Sequence, residues 1–453
     1  MQQPLPNNLI EALKNINGFD EKKFKEIHQS GEQVTSIRLN PAKQNEQLSI
    51  LRSVTASVPW CKYGRYLAQR PSFTFDPHFH AGAYYVQEAS SMFLWKILEQ
   101  KAVNTTGLKV LDLCAAPGGK STLLSSYFTN SLIVANETIK SRANILAENV
   151  AKWGNENIVV TNNDPKDFSK LAGFFDVIVI DAPCSGSGLF RKDNNAIAEW
   201  SEENVMLCSQ RQQRILADAI PALKQNGLLI YSTCSYSAEE DESICDWLIT
   251  NYDLSSLNCL TNVDWNIVET ISAKKTYGYR FYSYNLSGEG FFIAAFKKND
   301  GEIFSEKTGK INSASQKEKD IALNWIKENS ELSLIKHSTD ILALPASISE
   351  HLAFLQKHLY IKKAGINIGT IKGNNMVPHH ELAISNILNK NIPVLNVSKE
   401  NAIKYLQKKE MDIAQRFTGW HVICFEGSNI GWVKVLPNRI NNYYPMDWRI
   451  LKQ

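Results

Sequence analysis

Between residues 108 and 298, strand-length apolar runs alternate with segments of helical spacing, a pattern few architectures accommodate. Residues 108–114 (LKVLDLC) read as a buried strand, and Gly118-Gly119-Lys120 opens a helix to about Phe128. Residues 132–137 (LIVANE) give a second strand. Ile139, Ala143, Leu146 and Val150 then share one helical face, and Gly154 stands where that helix should stop. Residues 158–161 and 175–181 (FDVIVID) are a third and a fourth strand, and 227–234 a fifth. Between the last two, Ser201 can cap a long helix with Glu202 and Glu203 in its first turn. Ser237-Ala238-Glu239-Glu240 has the pattern of a capping box for the next helix, and 290–297 (GFFIAAFK) is a later strand. The alternation predicts an α/β fold: a mostly parallel sheet with helices on both faces.

The flanks read differently. Residues 1–84 hold a short helical segment, then Ser36-Ile37-Arg38-Leu39-Asn40-Pro41, then a Pro- and aromatic-rich stretch, as a separate module would. Residues 299–318 are polar and read as a linker between a catalytic unit at 85–298 and a C-terminal region at 319–453. Three units agree with the length of 453 residues. Net charge is +3, which permits a nucleic-acid partner without arguing for one. The N-terminus lacks the apolar core of a secretory signal, and no run approaches the roughly 20 apolar residues that span a bilayer. The expectation is a soluble, cytoplasmic monomer. Eight cysteines without a CxxC pair point to neither a disulfide framework nor a zinc site, and no metal is expected.

The segment Asp112-Leu113-Cys114-Ala115-Ala116-Pro117-Gly118-Gly119-Lys120 leaves a strand and enters a helix. In open parallel sheets ligands sit at the carboxyl ends of strands, and small residues there let backbone approach them. Gly-Gly would equally serve a plain tight turn, but the segment is not GxGxxG, which disfavours a nicotinamide cofactor. The next strand ends at Glu137, where a carboxylate can accept bonds from two ribose hydroxyls. Asp164 follows the third strand, where it could meet an adenine amino group, and Asp181 ends the fourth. Each could be an ordinary solvent-facing carboxylate; their succession at strand ends favours a nucleotide site.

Two cysteines fall on the same edge: Cys184 in 181–188 (DAPCSGSG) and Cys234 in 231–236 (YSTCSY). A pyrimidine C5 is a poor nucleophile. A thiolate adding to C6 makes the ring an enamine whose C5 can attack a methyl sulfonium, so one difficult step becomes two easier ones. Such a sulfur must react as thiolate. The alternative, an inert buried thiol, is preferred for Cys61, Cys208, Cys245, Cys259 and Cys424. Cys114 lies in the glycine loop and is expected to act through packing.

Together CAAPGGK (114–120), DAPCSGSG and YSTCSY closely resemble the RNA cytosine-C5 methyltransferases of the Sun family, over roughly residues 30–298. The resemblance implies a Rossmann-like fold and S-adenosylmethionine as cofactor. It implies that Cys114, Ala115, Ala116, Pro117, Gly118, Gly119, Lys120, Glu137, Arg142, Asp164 and Asp181 hold that cofactor. It makes Cys234 the nucleophile and Cys184 the cysteine that assists release of methylated RNA, with Lys120 and Asp181 in the active site. Residues 81–91 (AGAYYVQEASS), 288–292 (GEGFF), 378–383 (PHHELA) and 431–434 (GWVK) are similar to the bacterial small-subunit rRNA members of RsmF type. In those members the N-terminal module and a PUA-like C-terminal region are RNA-binding, so the implied partner is small-subunit rRNA or its particle. The stretch Arg280-Phe281-Tyr282-Ser283-Tyr284 departs from the family, which usually shows Pro-His after the aromatic pair. Other readings remain: a tRNA cytosine-C5 methyltransferase, a DNA-type enzyme using the Pro183-Cys184 thiol, or a catalytically silent RNA-binding ribosome assembly factor. Both cysteines and all the acidic positions are present, which favours an enzyme.

Overall fold

The computed structural model describes residues 4–102, 104–301, 304, 309, 311–328, 331–413 and 418–451. Its centre is a parallel sheet of β1 (Lys109–Asp112), β2 (Leu132–Asn136), β3 (Ile158–Thr161), β4 (Phe175–Asp181) and β5 (Leu223–Thr233), in the order β3-β2-β1-β4-β5. These strands are rich in Val, Ile and Leu because helices cover both faces, and β2 and β3 are buried at every position. The chain winds outward from β1 to β3, then returns to β4. In open sheets of this kind ligands bind beyond the carboxyl ends at the switch point, here between β1 and β4. β6 (Tyr277–Phe281) and β7 (Phe291–Lys298) extend the sheet antiparallel beyond β5.

The helices follow from local signals. α1 (Gly119–Tyr127) starts after Gly118, whose φ of 116° suits a residue without Cβ. α2 (Lys140–Trp153) ends at Gly154 in left-handed conformation. α3 (Glu202–Ala219) is capped by Ser201, whose Oγ accepts from Asn204 N at 3.1 Å. One expectation is corrected here. Ser237–Glu240 is no capping box: α4 (Glu242–Asn251) begins after Asp241 without a side-chain cap, because Glu240 is drawn into the interior by other donors.

The N-terminal module forms a four-stranded antiparallel sheet whose edge strand, Tyr84–Val86, straddles the expected boundary at 84/85. It rests on the end of α2 at Gly82, where an added Cβ would lie 1.8 Å from the Lys152 carbonyl oxygen. The C-terminal region carries two sheets that share a core, with Ile341 and Ile366 from one and Val422 and Trp432 from the other. Residues 332–378 give one four-stranded sheet and 394–442 another. Part of the expected linker (302–303, 305–308 and 310) lies outside the described residues, but Ser313 bridges Ile335 and Ala314 is buried. The segment with the first of these sheets is joined to the catalytic unit. Its α5 (Ala346–His358) places Phe354 against Phe174, ring centroids 5.2 Å apart, and Ile335, Leu344, Ile348 and Leu355 share a core with Leu111 and Ile178. Its next strand, β8 (Ile361–Ala364), pairs antiparallel with β3 and becomes an outer strand of the catalytic sheet. Among the described residues no helix is long and apolar enough to cross a membrane.

Candidate active site

Every strand of a parallel sheet delivers its carboxyl end to one edge, so the loops after β1, β2, β3, β4 and β5 converge there. The loop 114–120 crosses the switch point. Arg142, on the first turn of α2, donates to the Ala116 carbonyl at 2.9 Å and lies 3.5 Å from Glu137, fastening the loop to the end of β2. Glu137 is buried and accepts from Ile139 N at 2.9 Å. Asp164 accepts from Lys166 N and begins a short turn after β3. Lys120 reaches across to Asp181, 2.7 Å away, and lies over the Phe291 ring. Asp181 also accepts from Ser232 Oγ at 2.7 Å. Cys114 is partly buried, its thiol pushed up by desolvation, and it packs against the main core.

The two candidate cysteines meet. Cys184 Sγ and Cys234 Sγ are 3.0 Å apart, both free thiols and both partly exposed. The hydrogen bond to Cys234, together with burial, holds the Cys184 thiol well above the ordinary range, so Cys184 keeps its proton. Cys61, Cys208, Cys245, Cys259 and Cys424 are buried elsewhere.

Three groups at this edge escaped the sequence reading. Glu240 accepts from Ser185 N at 2.8 Å, Ser185 Oγ at 2.5 Å and Ser235 Oγ at 2.6 Å, so one buried carboxylate ties the Cys184 loop to the Cys234 loop. Burial raises its pKa. Its signal was present, but matched a helix cap. Arg38, fully buried in the N-terminal module, donates to the Gly119 carbonyl at 3.1 Å and Thr122 Oγ1 at 2.6 Å, supporting the glycine loop from below. No local pattern marks it. Asp112, at the end of β1, accepts from Ser121 Oγ at 2.6 Å, while its Oδ1 is buried without a partner. Burial pushes its carboxyl up to about 7. The divergent stretch 280–284 has a structural task. Arg280 is buried between Asp241 and Glu242 and donates to the Tyr236 carbonyl at 2.9 Å, two residues beyond Cys234. Tyr236, Tyr282 and Tyr284 stack in a row, and Tyr284 Oη donates to Gly18 O, clamping the N-terminal helices beside the cysteine loop.

The residues fit S-adenosylmethionine. Glu137, Asp164 and Asp181 supply acceptor oxygens toward a ligand rich in hydroxyl and amino donors and bearing a sulfonium charge. The unsatisfied Oδ1 of Asp112 lies below the same loop. Among the described residues no cluster of His, Cys, Asp or Glu could hold a metal ion.

Comparison with known proteins bears on most of the chain. Residues 97–297 match the family described as 16S rRNA methyltransferase RsmB/F. Residues 5–89 match the N-terminal domain of 16S rRNA methyltransferase RsmF, and 392–450 the methyltransferase RsmF PUA domain. The ribosomal RNA small subunit methyltransferase F of Psychromonas ingrahamii is 32% identical over 444 residues, covering 91% of this chain and 90% of that protein. The protein of the same name from Aliivibrio salmonicida is 29% identical, with coverage of 91% and 90%. Among solved structures, a methyltransferase homologue from Pyrococcus horikoshii superposes with a TM-score of 0.52 at 26% identity, over 65% of this chain and 100% of that one. NSun6 from Pyrococcus horikoshii, solved with SFG, shares the fold at a TM-score of 0.53 and 19% identity, over 65% and 98% of the two chains.

Proposed function

The chain belongs to the RsmF family of S-adenosylmethionine-dependent methyltransferases, and on that premise we propose that it forms 5-methylcytosine in small-subunit ribosomal RNA through a covalent bond to Cys234. The observation that carries the proposal is the pair of free thiols 3.0 Å apart at the strand edge that also holds Glu137 and Asp181. The rRNA substrate is taken from the names of the relatives, and a PUA domain suits it.

Bound at the switch point, S-adenosylmethionine supplies an electrophilic methyl group. The chain's residues do the rest. Cys234 sulfur adds to C6 of the cytosine and makes C5 nucleophilic. C5 gains the methyl group and then loses its proton, and the Cys234–C6 bond breaks to restore the ring. Cys184, held as a thiol against Cys234, acts after methyl transfer, when the adduct must be released. Glu240 keeps the two loops in register, and the Lys120–Asp181 pair joins the cofactor loop to the β4 end.

Denaturing gels of enzyme with labelled RNA test the assignment. Cys234→Ala should abolish methylation and form no adduct. Cys184→Ala should still transfer methyl but accumulate RNA bonded to protein, and the double variant should show no band. A band in Cys234→Ala and none in Cys184→Ala would make Pro183-Cys184 the nucleophile, as in the DNA-type reading. Intact methylation without a band in any variant would exclude covalent catalysis by both.

A further inference from the structure

A second cavity, of about 710 Å³, lies between α2 and the C-terminal region. None of the residues assigned above to cofactor or chemistry lines it. Its walls include Asn144 from α2, His337 and Gln356 from the segment with the first C-terminal sheet, Lys362 from β8, Asn367, and Trp448 near the C-terminus. The volume is that of a small-molecule site. The side chains of Asn144, His337, Gln356 and Lys362 have no hydrogen-bond or ion-pair partner among the described residues. Of the acidic wall groups, Glu381 pairs with Lys363 at 2.6 Å, Glu148 with Lys152 at 2.6 Å, and Asp340 accepts from Thr370 and Asn367, while Asp447 has no hydrogen-bond or ion-pair partner among the described residues.

We infer that this cavity binds a base of the substrate RNA a few nucleotides from the methylated cytidine. Carboxylates among the walls argue against a phosphate site. Side-chain amides, each donor and acceptor, suit the edge of a base. Position supports the same occupant. The cavity adjoins the cofactor edge, because Asn163 Oδ1 accepts from Tyr360 N at 2.9 Å and Asn162 N donates to Tyr360 O at 3.2 Å, directly before Asp164 and directly before β8. Tyr360, directly before the wall residue Ile361, is 64% exposed, and Ile145 in the wall is 50% exposed. From β4, which carries the Cys184 loop, to β8 is four strand spacings, about 19 Å. A single strand of RNA spans that in a few nucleotides.

The inference rests on the RNA reading above, and the test separates the two. Single-stranded RNA from the small-subunit rRNA, carrying abasic nucleotides one position at a time, is titrated by fluorescence anisotropy against the full chain and against Asn144→Ala/Gln356→Ala. Both side chains are exposed, so the variant should fold, and S-adenosylmethionine affinity serves as the control. In the wild type, one or two abasic positions away from the target should weaken binding about tenfold, the scale of the lost hydrogen bonds to a base edge. In the double variant intact RNA should bind about as weakly, and the same abasic positions should cost nothing more. Abasic effects that persist undiminished in the variant would overturn the pocket, as would a variant with wild-type RNA affinity or one that loses cofactor affinity instead. A wild-type chain that binds RNA with this pattern but methylates no cytosine would leave the pocket standing and overturn the reaction.

Discussion

Phe354→Ala tests whether the C-terminal region is a structural part of the catalytic unit or a body tethered to it. Phe354 is 1% exposed. Its ring stacks on Phe174 and meets Phe304 edge-on at 4.9 Å, and the helix that carries it leads directly into β8. Truncating a buried Phe costs about 3–5 kcal/mol, from lost transfer energy and the cavity left behind. If β8 and α5 close the same core as β1–β5, that cost falls on the catalytic sheet. Amides of β3, at Ile158–Thr161, should then exchange with solvent roughly two to three orders of magnitude faster, since each 1.4 kcal/mol is about tenfold. Native-state hydrogen exchange with mass spectrometry reads the β3 and α5 peptides in one experiment. Exchange that rises in α5 while β3 stays within about twofold of wild type would refute the shared core, given that each body would then open alone.

Two further outcomes follow from the site and the buried histidines. Glu137→Ala should weaken S-adenosylmethionine binding by about 1–3 kcal/mol by calorimetry, the scale for hydrogen bonds to a charged group; unchanged affinity would remove Glu137 from the site. His28 and His80 are buried, and desolvation lowers each pKa from 6.5 to about 4. The unfolded chain therefore binds more protons than the native one between those values, and the stability held above pH 6.5 declines as pH falls toward 4. At 1.36 kcal/mol per unit, His28 alone contributes a loss of about 2 kcal/mol between pH 6.5 and 5. Urea midpoints of wild type and His28→Gln at pH 7.5 and 5 should show the variant losing less on acidification; parallel losses would contradict the assignment.

The sequence by itself determined the centre of this protein. The strands 158–161 and 175–181 and the helix ending at Gly154 stand where apolar spacing and a single glycine put them, because those signals are local. The placement of the candidate site residues was legible for the same reason. Once the sheet is parallel, its strands present their carboxyl ends at one edge, so Glu137, Asp181, Cys184 and Cys234 come together without knowledge of any long-range contact. The tertiary structure alone decided what holds that edge. Glu240 matched a helix cap, yet a buried carboxylate goes to the strongest donors within reach, and those are Ser185 and Ser235 from loops 50 residues apart. Arg38 supports Gly119 from 81 residues away. β8 joins β3 through backbone hydrogen bonds, which every residue but proline can make, so nothing in IKKA names its neighbour. Local periodicity records which face of an element is buried; which element buries it depends on packing across the whole chain, and only the folded molecule settles that.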